Sequence, residues 1–128
     1  MAEIERVMLG DDVVAVAISG EMDMADESRA DLAIDFVIGL EARGALLDLT
    51  RCGYIDVSGL RLLLSARERM RHAGILVAVA GPAPPGVRRI FDLTGVTSEL
   101  AMFENRDQAI AVLMAGFPIV RPEAPAAG

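Results

Sequence analysis

Leu46-Leu47-Asp48-Leu49-Thr50-Arg51-Cys52-Gly53-Tyr54-Ile55-Asp56-Val57-Ser58-Gly59-Leu60 runs from a strand through a turn into a helix. The apolar stretch from Ala45 to Leu49 reads as a buried strand, and Thr50 to Tyr54 as the turn after it. From residue 57 to residue 73 the period changes to that of a helix. Leu62, Leu63, Ala66, Met70 and Ala73 fall within one arc of about 100°, and Arg61, Ser65, Glu68, Arg69 and His72 fill the opposite side. Gly74 stands where a helix C-terminal stop belongs. Ile75 to Ala80 follows with almost no polar residue, as expected of a central parallel strand.

Working outward, the same alternation repeats. Upstream, Val7 to Leu9 is a short extended stretch, Gly10-Asp11-Asp12 a turn, and Val13 to Ile18 a β-branched buried strand. Gly20-Glu21-Met22-Asp23 breaks that strand. Asp26 or Ser28 then caps a helix reaching about Arg43, with Leu32, Phe36, Val37 and Leu40 at helical spacing and Gly44 as its stop. Downstream, Gly81 to Pro85 is a loop and Val87 to Thr94 a short helix stopped by Gly95. A strand near residues 100–103 and a helix over about 106–115 complete the pattern. Alternating strands and helices predict an α/β fold with a parallel or mixed β-sheet and right-handed crossovers. The last residues, 117–128, are rich in proline, alanine and glycine and predict a flexible C-terminal tail.

Composition narrows the function. At 128 residues and 13.6 kDa the chain has the size of one domain. Hydrophobic residues make up 53%, which excludes a disordered protein. No apolar run approaches the ~18 residues of a membrane span, so direct membrane insertion is not expected. All 12 basic residues are arginine, which removes lysine nucleophiles, Schiff bases and phosphate-loop lysines. The net charge of −7 argues against binding a nucleic acid backbone. Cys52 and His72 are the sole residues of their types, so neither a disulfide, a cysteine zinc site nor a multi-histidine metal site can be assembled. No cofactor or metal is expected. The N-terminal residues lack the pattern of a signal peptide, and a reducing cytoplasm is the expected compartment. A binding or regulatory module fits these exclusions better than an enzyme.

Asp56-Val57-Ser58-Gly59-Leu60 is where chemistry concentrates. Aspartate, serine and glycine all suit an ordinary helix start, where a side-chain oxygen accepts from a free backbone N–H. The same position also exposes Ser58 in the first helical turn, where a phosphate would add about −1.5 to −2 of charge. Free N–H groups would favour that anion, while Asp56 would oppose it. Ser58, Arg61, Leu62 and Ser65 share one side of the helix, within an arc of about 100°. Leu62 lies at the edge of the apolar arc, either in the core or partly exposed beside Ser58.

Leu47-Asp48-Leu49 followed by Ile55-Asp56-Val57-Ser58-Gly59-Leu60 resembles the "hDL…hDSSGL" signature of STAS domains, in the branch of the anti-sigma factor antagonists. Gly20-Glu21-Met22-Asp23 resembles that family's "GELD" corner, and Val87 to Val96 its "V-[KR]-R-h-F-[DE]-h-[ST]-G-h" helix. The motifs occur in the family's order within residues 4–115, which are expected to form a single STAS-like domain with helices wound as a (βα) superhelix. The resemblance implies a switch in which the unmodified domain binds an anti-sigma factor that is also a serine kinase and so frees the sigma factor. Phosphorylation of the motif's second serine, here Ser58, ends the interaction, and a serine phosphatase reverses it. Val57 replaces the motif's first serine, which leaves Ser58 as its one hydroxyl. The family also places the corner that here carries Asp23 and Met24 near the serine. The partner-binding set implied is therefore Asp23, Met24, Asp56, Ser58, Arg61, Leu62 and Ser65. Two other roles known in the family stay open: a STAS subunit of a membrane lipid ABC transporter, and a stressosome-type scaffold component.

The remaining candidates read as structure. His72 and the Arg67-Arg69-Arg71 cluster, with Glu68 among them, suit a solvated helix face. Cys52 suits a small turn residue, and the scattered methionines suit core gaps.

Overall fold

The apolar stretches 13–18, 45–49 and 76–80 become strands, and all the strands lie side by side in the order in which they occur. The computed structural model describes residues 1–98 and 100–115. Strands β1 (Ala2–Met8) and β2 (Val13–Met22) form an antiparallel hairpin. They are followed by α1 (Glu27–Gly39), β3 (Gly44–Ile55), α2 (Val57–His72), β4 (Leu76–Ala80), α3 (Pro85–Thr94), β5 (Met102–Phe103) and α4 (Arg106–Ala115). The sheet order is β1-β2-β3-β4-β5, with every pair after the hairpin parallel. The expected α/β class is therefore met by a mixed five-stranded sheet.

That order decides where the helices go. Crossovers of one hand that always advance in the same direction across a sheet must lie on one face. α1, α2 and α3 cover that face: Ile34, Val37, Leu63, Met70 and Phe91 pack with Val14, Val16, Leu47, Leu49 and Val79. α4 covers the other face, where Ala109 and Leu113 meet Val13, Ala15, Leu46, Ala78 and Ala80. With both faces covered, β4 and the first half of β3 are buried without alternation, as the sequence showed.

Several boundaries differ from the sequence reading. β1 begins at Ala2 rather than Val7. β2 continues through Gly20, which adopts φ 87°, as far as Met22. The segment 50–54, expected as a turn, is strand. β3 pairs with β2 as far as Met22↔Ile55, and the register slips between Ala17 and Ser19 and again between Gly20 and Glu21. These β-bulges let β3 absorb extra residues while staying in the sheet, so turn-like Thr50 and Gly53 sit in a strand. α1 ends at Gly39, and Glu41 adopts φ 55°, so Gly44 opens β3 instead of stopping α1. Gly74 and Gly95 do occupy the left-handed region beyond α2 and α3. The segment 117–128, expected as a tail, lies outside the described residues apart from its place in the sequence.

Candidate partner-binding and phosphorylation site

The site is built on the first turn of α2. Asp56 stands at its N-cap with extended backbone (φ −99°, ψ −176°), and its Oδ1 accepts from the Gly59 N–H at 2.8 Å. The same oxygen accepts from the Ser58 hydroxyl at 2.7 Å. These donors, the Gly59 N–H first and the Ser58 hydroxyl second, hold the Asp56 carboxyl below its ordinary value of 3.8. Asp56 is thus an anion at neutral pH. Both Asp56 and Ser58 are half-buried, with Ser58 reachable from solvent.

Gly59 explains how the neighbouring corner comes to lie beside this turn. A Cβ at Gly59 would run into the Met22 carbonyl oxygen and come within 2.8 Å of Ile55 Cγ1. The end of β2 therefore packs directly on the helix start, a closeness that only a residue without a side chain permits. Immediately beyond Met22, Asp23 caps a short 3-10 turn (Met24–Asp26): its side chain accepts from the Ala25 N–H at 2.9 Å. Asp26 returns the contact through Oδ2, which accepts from the Asp23 N–H at 3.0 Å, closing a capping box. Asp26 is fully buried, and its Oδ1 also accepts from the Ala2 N–H (3.1 Å) and from Arg29. The sequence offered Asp26 as a helix cap, but its side chain makes no capping bond to α1. It fastens the corner to the start of β1 instead.

The structure brings together most of the residues implied by the sequence. Asp23 and Met24 sit on the corner packed against α2, Asp56 and Ser58 on its first turn, and Arg61 and Ser65 on its exposed surface. Leu62 does not join them. It is buried among Val16, Ile18, Ile34, Leu47 and Ala66, because α1 packs over the side of α2 that a helical wheel leaves at the edge of the core. Two residues outside that partner-binding set, Tyr54 and Val57, are half-exposed on either side of Asp56. Their signal was available in principle: large apolar residues at a strand–helix junction that match neither element's buried positions.

The arginine cluster of α2 behaves as a solvated face. Glu68 is 3.1 Å from Arg71, 3.4 Å from His72 and 3.7 Å from Arg67. Arg69 reaches Asp31 (3.5 Å) and Asp35 of α1. Cys52 is buried in β3 rather than in a turn, and burial pushes its thiol up from the ordinary value. Among the described residues, no helix is long and apolar enough to cross a membrane.

Comparisons with known proteins agree with this fold. The model of the STAS domain matches residues 6–109. BtrV of Bordetella bronchiseptica, whose name assigns it provisionally to the anti-sigma factor antagonists, is 26% identical over 109 residues, 84% of this chain and 92% of its own. A crystal structure of an anti-sigma factor antagonist from Mycobacterium paratuberculosis superposes with a TM-score of 0.72 at 25% identity, over 88% of this chain and 93% of that one. A sulfate transporter family protein from Wolinella succinogenes shares the fold, with a TM-score of 0.74 at 19% identity over 87% and 92% of the two chains.

Proposed function

The chain belongs to the STAS domain family, and from that premise we propose that it is an anti-sigma factor antagonist switched by phosphorylation of Ser58. Unphosphorylated, it binds an anti-sigma factor that is also a serine kinase, and the sigma factor is released. The kinase then transfers the γ-phosphoryl group of ATP to Ser58: the Oγ–P bond forms, the bond to ADP breaks with ADP leaving, and the hydroxyl proton passes to a general base of the kinase. A serine phosphatase hydrolyses the ester and restores the binding form. The names of BtrV and of the mycobacterial structure support the antagonist branch.

The observation that carries this reading is the Ser58–Asp56–Gly59 hydrogen-bond set at the start of α2, beside the Asp23–Met24 corner. Asp56 already occupies the Gly59 N–H that would otherwise receive an anion. A phosphate on Ser58 therefore meets a carboxylate instead of a vacant helix terminus, and is turned outward toward solvent, where Val57 and Arg61 of the same helix are exposed. A dianion placed in a closely packed interface there costs about 3 kcal/mol, or about a hundredfold in affinity.

Ser58→Ala tests the assignment. With the cognate kinase and ATP, the wild-type chain should gain ~80 Da by intact mass while the variant gains nothing yet still captures the kinase. Labelling of Ser58→Ala would exclude Ser58 as the acceptor. The likeness to a sulfate transporter family protein motivates the competing reading, a constitutive transporter subunit. Stable co-purification with a transport ATPase, unaffected by Ser58→Asp, would decide for it; a stressosome-type scaffold would instead sediment in a large assembly.

A further inference from the structure

β1 is an edge strand, and its hydrogen-bonding pattern follows from one observation. Leu9 N–H donates to the Val13 carbonyl at 2.8 Å, in line with the register Ala2↔Gly20 to Met8↔Val14. In an antiparallel pair alternate residues turn their backbone groups to the partner, so Glu3, Glu5 and Val7 bond to β2. Ala2, Ile4, Arg6 and Met8 face outward. At Ala2 both outward groups are taken: its N–H by Asp26 and its carbonyl by Arg29. The edge remains open, among the described residues, from Ile4 to Met8.

Beside this edge runs an apolar row. One flank of α1 is joined to α2 through Asp31, Asp35 and Arg69. The opposite flank carries Leu32, Phe36 and Leu40, which are 67%, 42% and 43% exposed, and Met8 on β1 is 50% exposed. The Arg6 guanidinium lies 4.0 Å above the Phe36 ring, which fixes this flank against β1. On the other side of the strand Glu3 and Glu5 are exposed. An open strand edge thus has apolar side chains along one side and carboxylates along the other.

We propose that this edge is a second docking surface, separate from the Ser58 site, for an extended segment of another protein that alternates apolar with lysine or arginine side chains. The segment would add a sixth strand beside β1, its apolar residues resting on Phe36, Leu40 and Met8 and its basic residues opposite Glu3 and Glu5. A second copy of this chain fits poorly. Every antiparallel register that sets the outward-facing residues opposite one another and overlaps more than half of β1 with itself places like charges opposite: Glu3 to Glu5, Glu5 to Glu5, or Arg6 to Arg6. Strand addition is a matter of alternation and charge, and the complement of this edge is basic.

The probe is a fluorescein-labelled peptide of about seven residues alternating valine and lysine, titrated with the full chain and followed by anisotropy. Arg6→Pro removes the outward N–H at the centre of the edge while leaving the ladder to β2 intact. It should weaken binding by at least about tenfold, although it makes the surface more acidic, so unspecific attraction of a basic peptide predicts the opposite sign. The Glu3→Lys/Glu5→Lys double variant, which touches no ladder hydrogen bond, should weaken it similarly. A peptide with glutamate in place of lysine should not bind. Undiminished binding to both variants, or equal binding of the acidic peptide, overturns the proposal. So does a wild-type dimer in sedimentation that Arg6→Pro converts to a monomer.

Discussion

At the scale of single residues, Asp56 sets the electrostatics of the proposed switch. Its carboxylate is stabilised in the folded chain by the Gly59 N–H and the Ser58 hydroxyl, so its folded value lies below the 3.8 of the unfolded chain. A depressed acid contributes stability that is fully present above its unfolded value and is lost as pH falls through its folded value. Asp56→Asn keeps a capping side chain but removes the charge. Urea midpoints of wild type and variant should therefore converge as the pH is lowered from 5 to 2, with the loss confined to the region below about 4. A constant difference between the two across that range would mean that the Asp56 charge contributes nothing beyond its shape. Ser58 and Asp56 were legible in the sequence because a cap and a first-turn hydroxyl are local features. Leu62 was not, because its burial depends on where α1 lies, and helical periodicity describes one helix at a time.

Elements were legible where they are local and misread where they depend on pairing. α2, β4 and α4 follow from hydrophobic period and glycine stops, and their boundaries lie within a residue or two of those expected. The far half of β3 does not. Thr50, Arg51 and Gly53 have turn composition, and only the β2 strand alongside, itself prolonged past Gly20, keeps them extended. That prolongation carries Met22 onto Gly59 and so creates the site. Gly59→Ala tests the packing with a sign opposite to propensity. Alanine favours a helix interior over glycine by about 1 kcal/mol, and a variant governed by propensity alone would be more stable. Here the added methyl meets the Met22 carbonyl oxygen and Ile55 Cγ1, so backbone has to move. A net loss of about 1–3 kcal/mol in denaturant unfolding is expected, together with weaker binding of the proposed kinase partner as the Asp23–Met24 corner is displaced. A gain in stability would show that the two elements are not held in contact.

For the whole molecule, charge and core have different geographies. The proposed phosphorylation would move the net of −7 only to about −9, so the proposed switch acts through the position of the new charge and not through the total. The core is divided by the sheet: its helical face holds most of the large side chains, while the face under α4 is filled by Val13, Ala15, Ala78, Ala80 and Leu46, a thinner apolar layer. α4 is fixed there by polar contacts as well as by burial. Buried Asp48 in β3 accepts from Thr50 Oγ1 at 2.6 Å and pairs with Arg106 Nε at 3.1 Å, and Arg43 donates to the Leu113 carbonyl at 3.0 Å. Less apolar area under a helix means a lower free energy for its local opening. Native-state hydrogen exchange should therefore show α4 amides opening at a lower free energy than those of β2 and β3. In Asp48→Ala, Arg106 and Thr50 lose their shared partner, and α4 exchange should accelerate by an amount equivalent to about 2 kcal/mol, roughly thirtyfold. If α4 exchanges only with the slowest strand amides in the wild type, the two faces form one cooperative unit and this division of the core is wrong. If the α4 rate is unchanged by Asp48→Ala, Arg106 is not its anchor, and the helix is retained by its apolar contacts and by Arg43.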